Sequence, residues 1–209
     1  MGLTEYEKIK NEIGQNVALM AVSKTKTARD ILPFLQAGQR LFGENRVEEA
    51  TEKWTTLKQE YPDVELHLIG HLQKNKIKEA LKIFDGIDTL DNFELAEKIT
   101  AELAKNPRKI KFMIEVNTGD EEQKSGISTA KADEFINYCI RDVKLNVTGL
   151  MCIPPQEDEP APHFAFLGEI AKKHGLKELS MGMSNDYLLA VQQGATIVRI
   201  GTLLFGKRE

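Results

Sequence analysis

Eight short apolar runs alternate with amphipathic helical patterns along almost the whole sequence, and this alternation restricts the folds open to the chain. The predicted strands are 17–22, 41–43, 66–69, 84–88, 110–116, 145–151, 178–181 and 196–200. The predicted helices are 3–13, 27–37, 45–59, 73–81, 92–105, 128–140, 162–174 and 184–193, followed by one helical turn at 202–206. Strands that alternate with helices pair in parallel through right-handed crossovers.

Eight parallel strands in 209 residues predict a small (β/α)8 barrel of the TIM type, with one extra helix before the first strand. An open doubly wound sheet is the alternative. The barrel is favoured by the strand count and by the lack of a GxGxxG motif after the first strand. We expect a single domain over residues 1–209, because no low-complexity linker divides the chain.

Composition excludes several classes of protein. Hydrophobic residues make up 41% of the chain and charged residues 29%, which is ordinary for a soluble globular protein. The net charge of −4 does not predict a nucleic-acid partner. No apolar run approaches the roughly 20 residues that span a bilayer, and the charged start of the chain is not a signal peptide. We therefore expect a cytoplasmic protein with free thiols at Cys139 and Cys152.

In a (β/α)8 barrel the chemistry takes place at the C-terminal ends of the strands, so the residues that follow each strand are the candidates. They are Ser23-Lys24, Gly43-Glu44-Asn45, Gly70-His71, Thr89, Asn117-Thr118, Met151-Cys152, Gly182-Met183-Ser184 and Gly201-Thr202. Two histidines, His67 and His71, lie four residues apart across a strand-to-loop junction, without a cysteine or carboxylate cluster nearby. We therefore predict no metal site.

Lys24 follows the first strand directly, at the point where a helical pattern begins. A lysine in an enclosed, partly apolar site shifts toward its neutral amine, which attacks carbonyl carbons and forms Schiff bases. The alternative is a surface lysine whose aliphatic stem covers apolar surface. Lys26, two residues later, has the position of a solvated charge at a helix entry.

Two glycine-containing loops near the end of the chain predict a phosphate site. The last strand ends at Gly201 and a helical turn starts at Thr202, where free N–H groups and the helix dipole favour an anion. In the preceding loop, Gly182 allows close backbone approach and Ser184 offers a hydroxyl. The alternative is that Ser184 only caps the following helix and Gly201 only turns the chain.

Arg199 lies inside the apolar strand Ile197-Val198-Arg199-Ile200. A guanidinium there is costly unless it is paired or bound to a ligand. One interpretation is a structural ion pair across the barrel interior, and the other is a donor to a ring nitrogen or an anion. At the end of the second strand, Glu44 and Asn45 either bind a ligand or cap the next helix.

These residues form a known combination with five longer motifs. The motifs are "FGENRVEEA", "HLIGHLQKNK", "IEVNTGDEEQKSGIS", "GLMCIPP" and "LSMGMSNDYLLAVQQGATIVRIGTLLFGKR". Over nearly the whole chain the sequence resembles the pyridoxal 5′-phosphate homeostasis protein family, also called the YggS/PROSC-like family. The sequence departs from the pattern at Arg46-Val47-Glu48, where family members usually have tyrosine and glutamine.

The resemblance implies a single barrel similar to the N-terminal domain of alanine racemase, which binds pyridoxal 5′-phosphate (PLP) as an aldimine on Lys24. It further implies the positions of the other cofactor-binding residues. By position, Ser184, Gly201 and Thr202 would bind the phosphate, Arg199 would face the pyridine nitrogen, and Asn45 would lie near the cofactor.

The implied function is intracellular PLP homeostasis and amino-acid balance without strong catalysis. An arginine cannot act as an acid at neutral pH, so it would leave the ring nitrogen unprotonated and weaken PLP as an electron sink. The alternative is a slow amino-acid racemase, although the second racemase base belongs to a separate C-terminal domain that we do not expect here. A third interpretation is a phosphate-binding barrel in which Lys24 acts only by its charge. The expected partners are PLP, amino acids and apo PLP enzymes, and the expected state is a monomer.

Overall fold

Eight parallel strands close into a barrel in the computed structural model, which describes residues 2–206 of the chain. Met1 and the last three residues of the predicted domain therefore lie outside the described part. The barrel strands are β1 (Ala18–Val22), β2 (Leu41–Glu44), β3 (Glu65–Leu68), β4 (Gly86–Leu90), β5 (Lys111–Asn117), β7 (Val147–Met151), β8 (Glu178–Ser180) and β9 (Ile197–Ile200). Pairing of β1 with β9 and of β4 with β5 completes the ring, and this confirms the predicted fold class.

Helices alternate with these strands. They are α1 (Gly2–Ile13), α2 (Ala28–Gln36), α3 (Val47–Glu60), α4 (Ile77–Ile83), α5 (Phe93–Lys105), α6 (Thr129–Asn137), α7 (Pro160–His174), α8 (Tyr187–Gln192) and α9 (Thr202–Phe205). A 3₁₀ turn (Lys74–Lys76) precedes α4 and a π-helical turn (Tyr138–Asp142) follows α6. None of the helices within residues 2–206 is long and apolar enough to cross a membrane.

The predicted strands agree with the observed ones to within about two residues, the boundary uncertainty of any assignment, but two details were wrong. Thr89 was predicted to follow the fourth strand, whereas it lies inside β4, which continues to Leu90 across a shift in register. The polar pair Asp88-Thr89 interrupts the apolar run and so conceals the true end of the strand. A two-residue strand, β6 (Ile127–Ser128), pairs with β5 outside the ring and was not predicted.

The barrel has two apolar regions. A small cluster of Met20, Met113, Met151 and Ile197 is separate from the main core, which packs between the strands and the helices. Because its members come from strands on opposite sides of the ring, the small cluster fills the barrel interior. Side chains two residues apart on a strand share a face, so Glu115 and Arg199 also face the interior.

Helix α1 packs against the short helices that follow the last two strands. Three of its side chains, Tyr6, Ile9 and Ile13, are buried. The hydroxyl of Tyr187, at the start of α8, donates to Glu12 over 2.5 Å. These contacts fix the two loops in which the phosphate site is predicted.

Candidate functional site

Lys24 lies in a tight turn at the C-terminal end of β1, where the sequence predicts it. The Lys26 N–H donates to the carbonyl of Ser23 over 3.1 Å and closes the turn. Within the turn, Thr25 has the left-handed φ of 64°. A capping box between Thr27 and Asp30 then starts α2. Lys24 itself is partly buried. The local sequence thus forces an abrupt strand-to-helix transition around this lysine.

Gly201 lies beside β1, at the same end of the barrel as Lys24. In the β1–β9 pair, Ala21 is opposite Ile200, so the residues after each strand are neighbours. A Cβ placed on Gly201 would lie 3.3 Å from the carbonyl oxygen of Val22. Helix α9 begins at Thr202, and the first N–H groups of a helix have no acceptor within it. Lys24 and these donors therefore share the end of the barrel formed by the C-termini of the strands, hereafter the mouth.

The loop after β8 contributes Gly182 and Ser184 to the same end. Gly182 has a φ of +88°, and a Cβ on it would lie 2.4 Å from the Cβ of Ala190, so only glycine fits. Its carbonyl accepts the N–H of Arg199 over 2.9 Å, which holds the loop against β9. The alternative that Ser184 caps the next helix is wrong. The N-cap of α8 is Asp186, whose carboxylate accepts the N–H of Met183 over 2.6 Å.

Neutral oxygens, rather than a carboxylate, bind the buried guanidinium of Arg199. Its Nη1 donates to the carbonyl and hydroxyl oxygens of Ser180 over 2.6 and 2.8 Å, and its Nη2 donates to the carbonyl of Cys152 over 2.9 Å. Burial lowers the pKa of Arg199. These three hydrogen bonds use at most three of the five N–H donors of the group. The sequence left open that Arg199 forms an ion pair across the barrel interior. The hydrogen bonds of its guanidinium go to neutral oxygens instead.

A second charged residue faces the interior near Arg199 and was not selected from the sequence. Glu115 on β5 is 7% exposed. Burial is the largest cause that raises its pKa to about 7. The charges of Asp91 and Asp88 contribute in the same direction, and Arg199 opposes the shift. The signal that identified Arg199, a charge inside an apolar strand, is also present at Glu115.

His67 forms a buried charged triad in the interior with two carboxylates. Its Nδ1 is 2.7 Å from Asp88 and its Nε2 is 2.9 Å from Glu65. Burial lowers the pKa of His67, but the charges and hydrogen bonds of Asp88 and Glu65 outweigh it and raise the pKa to about 10. The imidazolium thus donates from both ring nitrogens and has a structural role. His71 is exposed after β3.

Asn45 and Glu44, adjacent in sequence, lie on opposite faces of the barrel wall. Glu44 is fully buried on the helix side, where the indole of Trp54 donates to it over 3.0 Å. Asn45 follows at the end of β2, packed so closely on Gly70 that a Cβ there would lie 2.3 Å from the Asn45 carbonyl. The side-chain oxygen of Asn45 is buried and has no hydrogen-bond partner among residues 2–206. A buried oxygen of this kind normally has a donor, which a ligand at the mouth would supply.

Two further candidates, Thr89 and Asn117, hydrogen-bond to backbone carbonyls. Thr89 donates to the carbonyl of Gly70 over 2.9 Å, and the Asn117 amide donates to the Glu121 carbonyl over 2.8 Å. As expected, Cys139 and Cys152 are free thiols, and both are buried. Burial raises the pKa of each thiol to about 12, so neither is a reactive thiolate at neutral pH.

Comparison with known proteins relates the whole chain to one family. Residues 4–209 match the family model described as alanine racemase, N-terminal domain. The pyridoxal phosphate homeostasis protein of Aquifex aeolicus (strain VF5) is 40% identical over 206 residues, which cover 94% of this chain and 90% of that protein. The protein of the same name from Escherichia coli (strain K12) is 36% identical over 204 residues, which cover 93% of this chain and 87% of that protein.

Solved structures agree with this relationship. The structure of PipY from Synechococcus elongatus PCC7942, with PLP bound, has a TM-score of 0.89 at 34% identity, covering 99% of this chain and all of that one. The alanine racemase of Clostridium difficile 630 has a TM-score of 0.78 at 16% identity, and the match covers 98% of this chain and 56% of the racemase, which shows the shared fold alone. The chain therefore belongs to the pyridoxal phosphate homeostasis protein family, whose barrel is that of the alanine racemase N-terminal domain.

Proposed function

We propose that this protein binds PLP covalently through Lys24 at the mouth of a single barrel domain and acts in PLP homeostasis and amino-acid balance. The observation that carries the proposal is the adjacency of two strand ends. Lys24 follows β1 and Gly201 follows β9, and the two strands pair in parallel with Ala21 opposite Ile200. The turn of Lys24 and the start of α9 are therefore neighbours, which supports a site for a ligand with an aldehyde and a phosphate.

The polar groups at the mouth fit PLP. The orphaned side-chain oxygen of Asn45 offers an acceptor. The Arg199 guanidinium retains N–H donors after its three hydrogen bonds. Gly201 and Thr202 begin a helix whose first N–H groups are available to an anion. An aromatic ring nitrogen, a hydroxyl and a phosphate would satisfy these groups together.

Each residue has a distinct task in this proposal. When bound, PLP supplies an aldehyde that condenses with a lysine amine and releases one water molecule. Lys24 provides that amine after losing its proton, and Ser184, Gly201 and Thr202 hold the phosphate. Arg199 donates toward the ring nitrogen and keeps its own proton, because a guanidinium is not an acid at neutral pH. The chain thus binds the cofactor without supplying the ring proton that strong catalysis needs.

Amino acids would exchange with Lys24 for the bound cofactor, and apo PLP enzymes would receive it from a monomeric protein in the cytoplasm. The names of the relatives, which refer to PLP homeostasis, support this regulatory function. The racemase alternative has no comparable support, because the racemase neighbour at 16% identity shares the fold alone.

The test is covalent trapping with borohydride, followed by identification of the modified lysine. We expect the modification on Lys24 in the unmodified protein and in Lys26→Ala, which removes the neighbouring amine as a matched control. Lys24→Ala should show none. A modified peptide from another lysine in Lys24→Ala would overturn the assignment of Lys24.

Turnover provides a second, independent test. On the PLP-loaded protein, amino acids should replace Lys24 on the cofactor. Their further conversion should be far slower than the usual enzyme turnover of about 1–1,000 per second. Rapid deuterium exchange with inversion at Cα of any common amino acid in D2O, lost in Lys24→Ala, would show a racemase instead.

A further inference from the structure

The turn that carries Lys24 is attached on both sides to side chains from β2 and α3. Before the lysine, the carbonyl of Ser23 accepts a hydrogen bond from Lys53 over 2.9 Å. The hydroxyl of Ser23 donates to Glu44 over 2.7 Å. After the lysine, the N–H of Thr25 donates to Glu49 over 2.5 Å. The backbone on either side of Lys24 is therefore held by residues distant in sequence.

Lys53 links these contacts into one charged cluster, which we call the Lys53 cluster and define as Glu44, Glu49 and Lys53. The Lys53 ammonium lies 2.7 Å from Glu44 and 2.8 Å from Glu49. The Lys53 side chain is 9% exposed and that of Glu44 is 0% exposed. Desolvation makes a buried ion pair a poor source of net stability, and its best-attested benefit is the selection of one arrangement.

The position of the cluster separates it from any ligand at the mouth. Glu44 projects from β2 toward the helices, where it also accepts from the indole of Trp54. Asn45, the next residue, lies on the other face of the wall. What the cluster does contact is the turn of Lys24, including Thr25 in its left-handed conformation with a φ of 64°. A threonine persists in that conformation only where its surroundings enforce it.

We propose that Glu44, Glu49 and Lys53 are positioning residues that hold the Ser23–Thr25 backbone so that the Lys24 amine is aimed at a carbonyl bound in the mouth. This inference rests on the proposed role of Lys24. The cluster acts on the approach of the amine and not on the phosphate site, whose residues come from the loops after β8 and β9. Its loss should therefore slow covalent capture and leave noncovalent binding of the phosphate ligand unchanged.

Two variants weaken the attachment of the Lys24 turn to the Lys53 cluster by different routes. Glu49→Ala removes the acceptor of the Thr25 N–H and one carboxylate partner of Lys53, but it leaves the buried Lys53–Glu44 pair in place, so we expect the fold to be retained. The double variant Glu44→Gln/Lys53→Met removes both buried charges together and keeps an amide oxygen for Ser23 and Trp54. The matched control is Lys58→Met, on the same helix.

Lys58 resembles Lys53 in its contacts but lies away from the turn. Its ammonium donates to the carbonyl of Ile83 over 3.1 Å and pairs with Asp85 over 2.5 Å. Its side chain is 18% exposed. Loss of Lys58 thus measures the general effect of removing a half-buried lysine from α3.

The readouts are the rate of PLP capture, followed by absorbance and borohydride trapping, and the affinity for pyridoxine 5′-phosphate, which lacks the aldehyde. In both test variants we expect capture to slow by about ten- to a hundredfold, as displacement of a reacting group by about 1 Å does. The affinity for pyridoxine 5′-phosphate should stay within about twofold, because its binding groups are separate from the cluster. Lys58→Met should change neither quantity.

Three outcomes would overturn the inference. They are unchanged capture in both test variants, a parallel loss of pyridoxine 5′-phosphate affinity, and equal slowing in Lys58→Met. These outcomes leave the proposed function intact as long as the unmodified protein captures PLP on Lys24. Absence of capture on Lys24 in the unmodified protein would overturn the proposed function and this inference together.

Discussion

Replacing Glu115 by glutamine should change how the stability of the apoprotein depends on pH. Glu115 is 7% exposed, and burial raises its carboxyl pKa from 4.5 to about 7. The charges of Asp91 and Asp88 act in the same direction, and only Arg199 opposes them. Glutamine resembles the protonated acid in shape and cannot ionise, so the substitution removes this titration and little else.

The direction in which stability changes with pH follows from the protons bound by the folded and unfolded states. Between pH 4.5 and about 7 the folded protein keeps the Glu115 proton that the unfolded chain has lost, so stability falls as pH rises. From about pH 5 to about pH 6.5 the unmodified protein should lose about 2 kcal/mol relative to Glu115→Gln, at about 1.4 kcal/mol per pH unit. The raised pKa of His67 acts at higher pH. Its stabilising contribution is complete below pH 6.5 and is lost as pH rises toward about 10.

Urea unfolding of both proteins at several pH values between about 5 and about 6.5 measures this difference, with stability taken from linear extrapolation. The expected result is a stability difference that changes steadily with pH in favour of Glu115→Gln. A constant difference across the window would show that Glu115 titrates alike in the folded and unfolded states and would refute the reasoning. The slope of the unfolding free energy against urea concentration must be the same for both proteins, because a changed slope would indicate an altered unfolded state.

Three further predictions concern other parts of the mouth and the barrel. His67→Gln leaves the buried carboxylate of Asp88 uncompensated, and urea unfolding should show a loss of about 3–5 kcal/mol, with a loss below about 1 kcal/mol contradicting the triad. Gly182→Ala, whose Cβ would lie 2.4 Å from that of Ala190, should lower both the melting temperature and PLP affinity. Gly175→Ala, with a φ of +69° but open space, is its control and should lower only the melting temperature. Pyridoxal should bind at least about tenfold more weakly than PLP in a titration, since each charge-assisted hydrogen bond to phosphate contributes roughly 1.5–3 kcal/mol, and equal affinities would exclude the phosphate site.

The strands could be predicted because a strand in a parallel barrel is buried on both faces and appears as a continuous apolar run. Two features were missed, the end of β4 and strand β6, and each has a physical reason. Asp88 interrupts such a run because its partner is His67, 21 residues earlier, and the sequence does not show that pairing. Strand β6 has only two residues, fewer than any pattern can identify.

The geometry of the candidate site was predictable to the extent that it depends on where strands end. Lys24, Gly201 and Ser184 follow apolar runs, and parallel pairing brings such positions together whatever the details of packing. The Lys53 cluster could not be predicted in this way. Lys53 and Lys58 both lie in the amphipathic helix α3, and only the packing of α3 on β2 distinguishes one from the other.

The mouth is built from two halves that differ in how they are held. In one half, carbonyls at the ends of β7 and β8 fix Arg199, and Gly182 after β8 has a positive φ at which a Cβ would clash with Ala190. In the other half, Lys24 lies on a turn with a left-handed threonine, and that turn depends on charged side chains from outside the barrel. In the function we propose, recognition of the ring and phosphate would depend on the barrel itself, whereas covalent capture would depend on helix α3. We therefore expect changes in α3 to alter how fast the cofactor is captured and released without altering which molecule is recognised.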